Sequence, residues 1–148
     1  MSAKRILVLG GGFAGLWSAA GAARKLDELG RGPEAADVTL VNRDAFHSIR
    51  VRNYEADLTS VRVPLDDVLG PIGVRRVEGE VTGIDPGEQA VTVTTASGQQ
   101  TLPYDRLVFA LGSQLVRPSI PGLAECAFDG GPEEPAVVVV VHDNVDGR

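Results

Sequence analysis

The chain has 148 residues, 43% of them hydrophobic and 23% charged, with a net charge of -6. That length suits one domain around one core, and the composition excludes disordered and fibrous classes. The acidic balance repels nucleic-acid phosphates, and Arg50, Arg52, Arg62, Arg75 and Arg76 are too interspersed to form a basic patch, so no nucleic-acid partner is expected.

Ile6-Leu7-Val8-Leu9 is a continuous apolar run stopped by glycine, the pattern of a parallel strand buried on both faces. A helix is predicted from Phe13 to Leu29, where Leu16, Ala20, Ala23 and Leu26 recur at helical spacing and Gly30 supplies a stop. Trp17, inside this helix, is expected to pack in the core or against the sheet. Val38 to Val41 forms the next strand and completes a right-handed strand-helix-strand unit. Residues 44–60 are mixed, and a short helix is predicted over Pro64 to Leu69, closed by Gly70 and Pro71.

From Val74 the pattern turns to β. Val74 to Ile84 with a break at Gly83, Ala90 to Thr95, and Gln99 to Leu102 are separated by turn residues and predict an antiparallel meander. Arg106 to Gly112 repeats the opening motif and is expected to return to the parallel sheet. Residues 129–135 read as a linker, and the five valines from Val137 to Val141 are a strand signal without an evident partner, expected to drive self-association through an exposed edge. The predicted fold class is therefore α/β, a Rossmann-like parallel sheet with an inserted antiparallel β-meander, and no complete second domain fits in the residues that follow the valine run.

The chemistry resides in Gly10-Gly11-Gly12-Phe13-Ala14-Gly15, which satisfies GxGxxG between a predicted strand and a predicted helix. Gly10 permits the tight turn, Gly12 lets the backbone approach a pyrophosphate, and Gly15 lets helix and strand pack closely. The amides of Phe13 and Ala14 open the helix, where unpaired N–H groups and a partial positive charge favour a dinucleotide. At the end of the second strand the fingerprint asks for Asp or Glu on a ribose hydroxyl. Asn42 stands there instead, still able to accept through its amide oxygen, with Arg43 beside it for adenine or phosphate.

With these motifs and the strand Tyr104 to Ser113 followed by Pro118 and Ile120-Pro121-Gly122, the chain resembles the two-dinucleotide-binding flavoproteins, in particular FAD-dependent pyridine-nucleotide oxidoreductases of the type II NADH dehydrogenase kind. The resemblance covers roughly residues 4–128. It implies an FAD-binding domain over 1–128, incomplete, and a linker with a divergent tail over 129–148. It also implies FAD on the Gly12 to Gly15 turn, Val81 touching adenine through its backbone, and Ala110 and Gly112 bordering the flavin, with His47 and Arg50 as secondary candidates near it. NAD(P)H is the substrate in that family, but no second glycine fingerprint follows Val141, so no NAD(P)H site is expected in this chain.

Cys126 is the single cysteine, which excludes a redox dithiol within the chain, a cysteine-based zinc site and an internal disulfide; lacking a basic neighbour, it reads as an inert thiol. No metal site is expected. A reducing compartment, no signal-peptide pattern and no transmembrane stretch predict a cytoplasmic location, with longer relatives peripheral on the membrane. The resulting expectation is the flavin-binding portion of an NAD(P)H-oxidising enzyme, not competent alone. A non-catalytic flavin- or nucleotide-binding fragment and a single-domain NAD-binding Rossmann protein stand as alternatives.

Overall fold

A computed structural model describes residues 3–52, 57, 59–112 and 140–142 of the chain. Cys126, the linker, the 128/129 domain boundary, Ser113, Pro118, Ile120-Pro121-Gly122 and Val137 to Val139 lie outside the described residues.

Strand β1 (Lys4–Leu9) leads into helix α1 (Phe13–Glu28) and then β2 (Ala36–Asn42), which pairs parallel with β1. Two short strands, β3 (Phe46–Ser48) and β4 (Arg62–Pro64), pair antiparallel and precede α2 (Leu65–Leu69). Strand β5 (Arg75–Glu78) returns parallel beside β2. Strands β6 (Glu80–Asp85), β7 (Ala90–Thr95) and β8 (Gly98–Pro103) make the antiparallel meander, and β9 (Arg106–Phe109) pairs parallel with the other edge of β1. With β10 (Val140–His142), the main sheet has the order β10-β9-β1-β2-β5.

Alternation along β1 explains why its apolar run is continuous. Val8 faces a core with Ala19, Leu40, Leu65, Leu69 and Val108, on the side covered by α1 and α2. Leu7 and Leu9 face the opposite core with Val41, Val91, Val93, Tyr104 and Leu107, under the meander. Three layers result, helix, parallel sheet and meander, and burying each valine or leucine between them contributes roughly 1.5–3 kcal/mol.

Three expectations change. The stretch from Val74 to Ile84 is not one meander strand: it divides at Gly79 rather than Gly83, and its first half, β5, belongs to the parallel sheet. Gly79 is where the chain crosses between sheets, its N–H donating to the Asn42 carbonyl at 2.8 Å. A Cβ on Gly79 would sit 2.6 Å from Val93 Cγ1 and 2.8 Å from the Thr94 carbonyl, so the crossing needs glycine. Gly83 instead accompanies a register shift within β6. Trp17 is 70% exposed rather than in the core, because α1 presents Ala19, Leu16, Ala23 and Leu26 to the sheet. Finally, the last two valines of the run have an intrachain partner, since Val140 to His142 pairs antiparallel with β9. No helix among the described residues is long and apolar enough to cross a membrane.

At the opposite end of the sheet from the glycine turn, Arg5 and Asp105 tie β1 to β9. Asp105 accepts from Arg5 Nε at 2.9 Å and from the Arg5 amide at 2.7 Å, while its own N–H donates to the Arg5 carbonyl at 2.8 Å. The Arg5 side chain, then its amide, pull the Asp105 carboxyl down to about 2. A carboxyl lowered on folding stabilises the fold above its unfolded value and loses that contribution as pH falls through the folded one. The urea midpoint is therefore expected to fall between about pH 4 and pH 2 by an amount worth roughly 1 kcal/mol after solvent screening. Asp105→Asn should flatten that slope; an unchanged slope would show that the pair carries no stability.

Candidate functional site

The parallel strands place their carboxyl ends together. β1 runs on one side to β2 and on the other to β9, so the crevice above β1 is the topological switch point, where open α/β sheets bind ligands. Gly10 to Gly15 turns at this point from β1 into α1, with Asn42 ending β2 and Ala110 following β9.

The glycines of the turn answer to different demands. Gly10 has φ +100°, and a Cβ there would overlap the Ala110 carbonyl. A Cβ on Gly15 would overlap the Gly10 carbonyl. At Gly11 it would press on Asn42 Cγ and Leu65 Cδ1, each 2.9 Å away. These three are required by the fold. Gly12 is not: its φ of -71° and ψ of -175° suit any residue, and a Cβ would meet nothing within 4 Å. Gly12 is also exposed, and it is the N-cap of α1 without a side-chain cap.

The first helical bond of α1 runs from the Leu16 N–H to the Gly12 carbonyl at 2.9 Å, so the amides of Phe13, Ala14 and Gly15 have no intrahelical acceptor. No acidic residue lies in that first turn. The open space at Gly12, uncapped amides and the dipole of a 16-residue helix form a cradle that fits a diphosphate. Gly112 lies beyond Ala110 with φ +77°, a conformation that favours glycine.

Asn42 turns its side chain inward onto the turn. Its Oδ1 accepts from the Gly11 N–H at 2.9 Å, and its Nδ2 donates to the Asp44 carbonyl at 3.0 Å and the Phe46 carbonyl at 3.3 Å. The amide that stands at the ribose position is thus a latch between the glycine turn and the β2–β3 connection, with one Oδ1 lone pair left over. Arg43 lines a shallow cleft of about 390 Å³ with Glu78, Gly79, Glu80, Thr94, Thr95 and Ala96. Val81 follows this cleft on β6, and its side chain packs against the core under the meander.

His47, on β3, is 4% exposed and reaches the turn from the other side. Its Nδ1 lies 2.8 Å from the Gly11 carbonyl, and its ring packs edge-on to Phe13 with centroids 4.6 Å apart. A carbonyl only accepts, so Nδ1 carries the proton. The family resemblance placed His47 near the flavin without this contact, and the residues alone did not: the histidine between Phe46 and Ser48 carries no motif, and the hairpin that delivers it has no clear periodicity. Arg50 falls in a 3₁₀ turn, Arg50–Arg52, after β3.

The sequence model of the pyridine nucleotide-disulphide oxidoreductases matches residues 4–135. An NADH dehydrogenase-like protein of Mycobacterium tuberculosis is 52% identical over 138 residues, 93% of this chain and 34% of that protein. A type II NADH:quinone oxidoreductase of Staphylococcus haemolyticus is 32% identical over 130 residues, covering 84% of this chain and 30% of its own length. Among solved structures, the water-forming NADH oxidase of Lactobacillus brevis has a TM-score of 0.61 at 26% identity, over 84% of this chain and 28% of that one. The sulfide:quinone oxidoreductase of Aquifex aeolicus has a TM-score of 0.62 at 24% identity, over 83% of this chain and 27% of its own, and supports the fold. The chain spans about a third of the length of the curated relatives it matches. With a match that runs from β1 through β9, this chain belongs to the pyridine nucleotide-disulphide oxidoreductase family.

Proposed function

We propose that the chain is the FAD-binding part of an NAD(P)H-oxidising flavoprotein of the NADH dehydrogenase-like kind, in which electrons pass on to a quinone or another acceptor. The observation that carries this reading is Gly12, a glycine that neither backbone strain nor neighbouring atoms require, at an uncapped helix start. In this reading the amides from Gly12 to Gly15, Phe13 and Ala14 included, hold the pyrophosphate without a lysine. Arg43 and the backbone at Val81 take the adenosine end. The free lone pair of Asn42 takes a ribose hydroxyl, and Ala110 and Gly112 border the isoalloxazine. Bound flavin supplies hydride acceptance and onward electron transfer, and the protein supplies binding and orientation.

A second reading beside it is flavin binding without turnover, which the same Gly12 cradle supports, since it holds a diphosphate whether or not hydride is transferred. A cytoplasmic location belongs to the same proposal, as does self-association through the outer edge of β10.

Titrating the purified chain with FAD is expected to quench flavin fluorescence saturably. No quenching and no flavin retained on gel filtration would overturn both readings. Anaerobic NADH then separates them: bleaching of the bound flavin supports turnover by this chain, and an unbleached spectrum supports binding alone.

A further inference from the structure

We infer that His47 is a positioning residue for the anion-binding turn, acting through the Gly11 carbonyl; the inference rests on the diphosphate reading above. Gly11 and Gly12 share one peptide plane, whose carbonyl end is buried against His47 Nδ1 at 2.8 Å and whose other end is the N–H of exposed Gly12. No cis peptide occurs among the described residues, so the two groups point in opposite directions across that plane. Holding the carbonyl inward therefore aims the Gly12 N–H outward, into the space that Gly12 leaves open.

A peptide flanked by two glycines needs such a hold. Neither residue has a Cβ to restrict rotation, and both can occupy regions closed to other residues. The preceding peptide is fixed independently, because the Gly11 N–H donates to Asn42 Oδ1 at 2.9 Å. Without His47, only the Gly11–Gly12 plane would be free to turn. His47 is itself fixed: it lies on β3, paired with Val63 of β4, and its ring is edge-on to Phe13 at an interplanar angle of 85°. Its hydrogen bond also polarises the peptide, making the Gly12 N–H a better donor to an anion.

The donor and the ring can be separated by substitution. His47→Phe keeps an aromatic ring against Phe13 and loses the donor. His47→Asn loses the ring and places an amide nitrogen near the position of Nδ1. The purified chain and both variants are titrated with FAD, and the Gly12 amide is followed by NMR relaxation dispersion in the ligand-free proteins. His47→Phe is expected to weaken FAD binding about tenfold and to add microsecond-to-millisecond exchange at Gly12. His47→Asn is expected to restore most of both.

Equal FAD affinity in wild type and His47→Phe, or His47→Asn as weak as His47→Phe, would overturn the inference. If His47→Phe does not fold, His47→Gln replaces it, since its longer side chain carries the donor past the Nδ1 position; wild-type affinity there would also be fatal. If wild type itself binds no FAD, the flavin reading has failed, and the Gly12 exchange still decides whether His47 holds the peptide.

Discussion

Gly12→Ala is expected to melt within about 2 °C of wild type and to bind FAD on the order of 10–100-fold more weakly, whereas Gly15→Ala is expected to lose the fold's stability first. The contrast follows from what a methyl group meets. At Gly12 it meets nothing within 4 Å and the backbone angles are ordinary, so the ligand-free chain has no reason to resist it. It would occupy the approach to the helix amides, and a displaced anion forfeits charge-assisted hydrogen bonds worth roughly 1.5–3 kcal/mol. At Gly15 the methyl would overlap the Gly10 carbonyl, and relief requires α1 to move off β1. An overpacked contact against backbone costs roughly 3 kcal/mol, a large share of a total near 5–15 kcal/mol, and lowers the melting temperature by about 10 °C. Thermal melts and FAD titrations of the two variants check this. Wild-type FAD affinity in a folded Gly12→Ala chain would remove the observation on which the function rests.

These two glycines also show what was legible in the sequence. The turn, its flanking strand and its helix lie within neighbouring residues, so a local pattern sufficed, and the return of Arg106 to Phe109 to the parallel sheet followed from the same kind of apolar run. Partnership across the sheet was not local. Val74 to Ile84 reads as β throughout, and nothing in an apolar alternation says that its two halves join different sheets; only the contact of Gly79 with Val93 and Thr94 does. Trp17 misled for a related reason, since helical spacing identifies a face but a large aromatic does not have to lie on it. His47 reaches Gly11 across 36 residues through a hairpin with three residues in each strand, too short for a periodic signal.

Asn42 is where sequence pattern and structure pull apart most usefully. The dinucleotide fingerprint asks for an acid at this position, so Asn42→Asp would appear to complete it. The reverse is expected: a melting temperature lower by about 5–10 °C, from a loss of roughly 2–3 kcal/mol. A carboxylate keeps the Gly11 N–H, which Oδ1 accepts at 2.9 Å, and even strengthens that bond. Its second oxygen, however, would replace an NH₂ that donates to the carbonyls of Asp44 and Phe46 at 3.0 and 3.3 Å and lies 3.4 Å from the Asp44 carboxylate. Part-buried acceptors would then face another acceptor, and two like charges would meet. Asp44 cannot turn away without cost, because its Oδ1 also accepts from the Phe46 N–H at 2.9 Å. Adding Asp44→Asn removes the like charge while keeping that oxygen, and the double variant should recover part of the loss in a mutant cycle. Asparagine is therefore required by the connection that carries the chain from β2 into the His47 hairpin, and a single Asn42→Asp variant as stable as wild type would show that the amide's donors contribute nothing there.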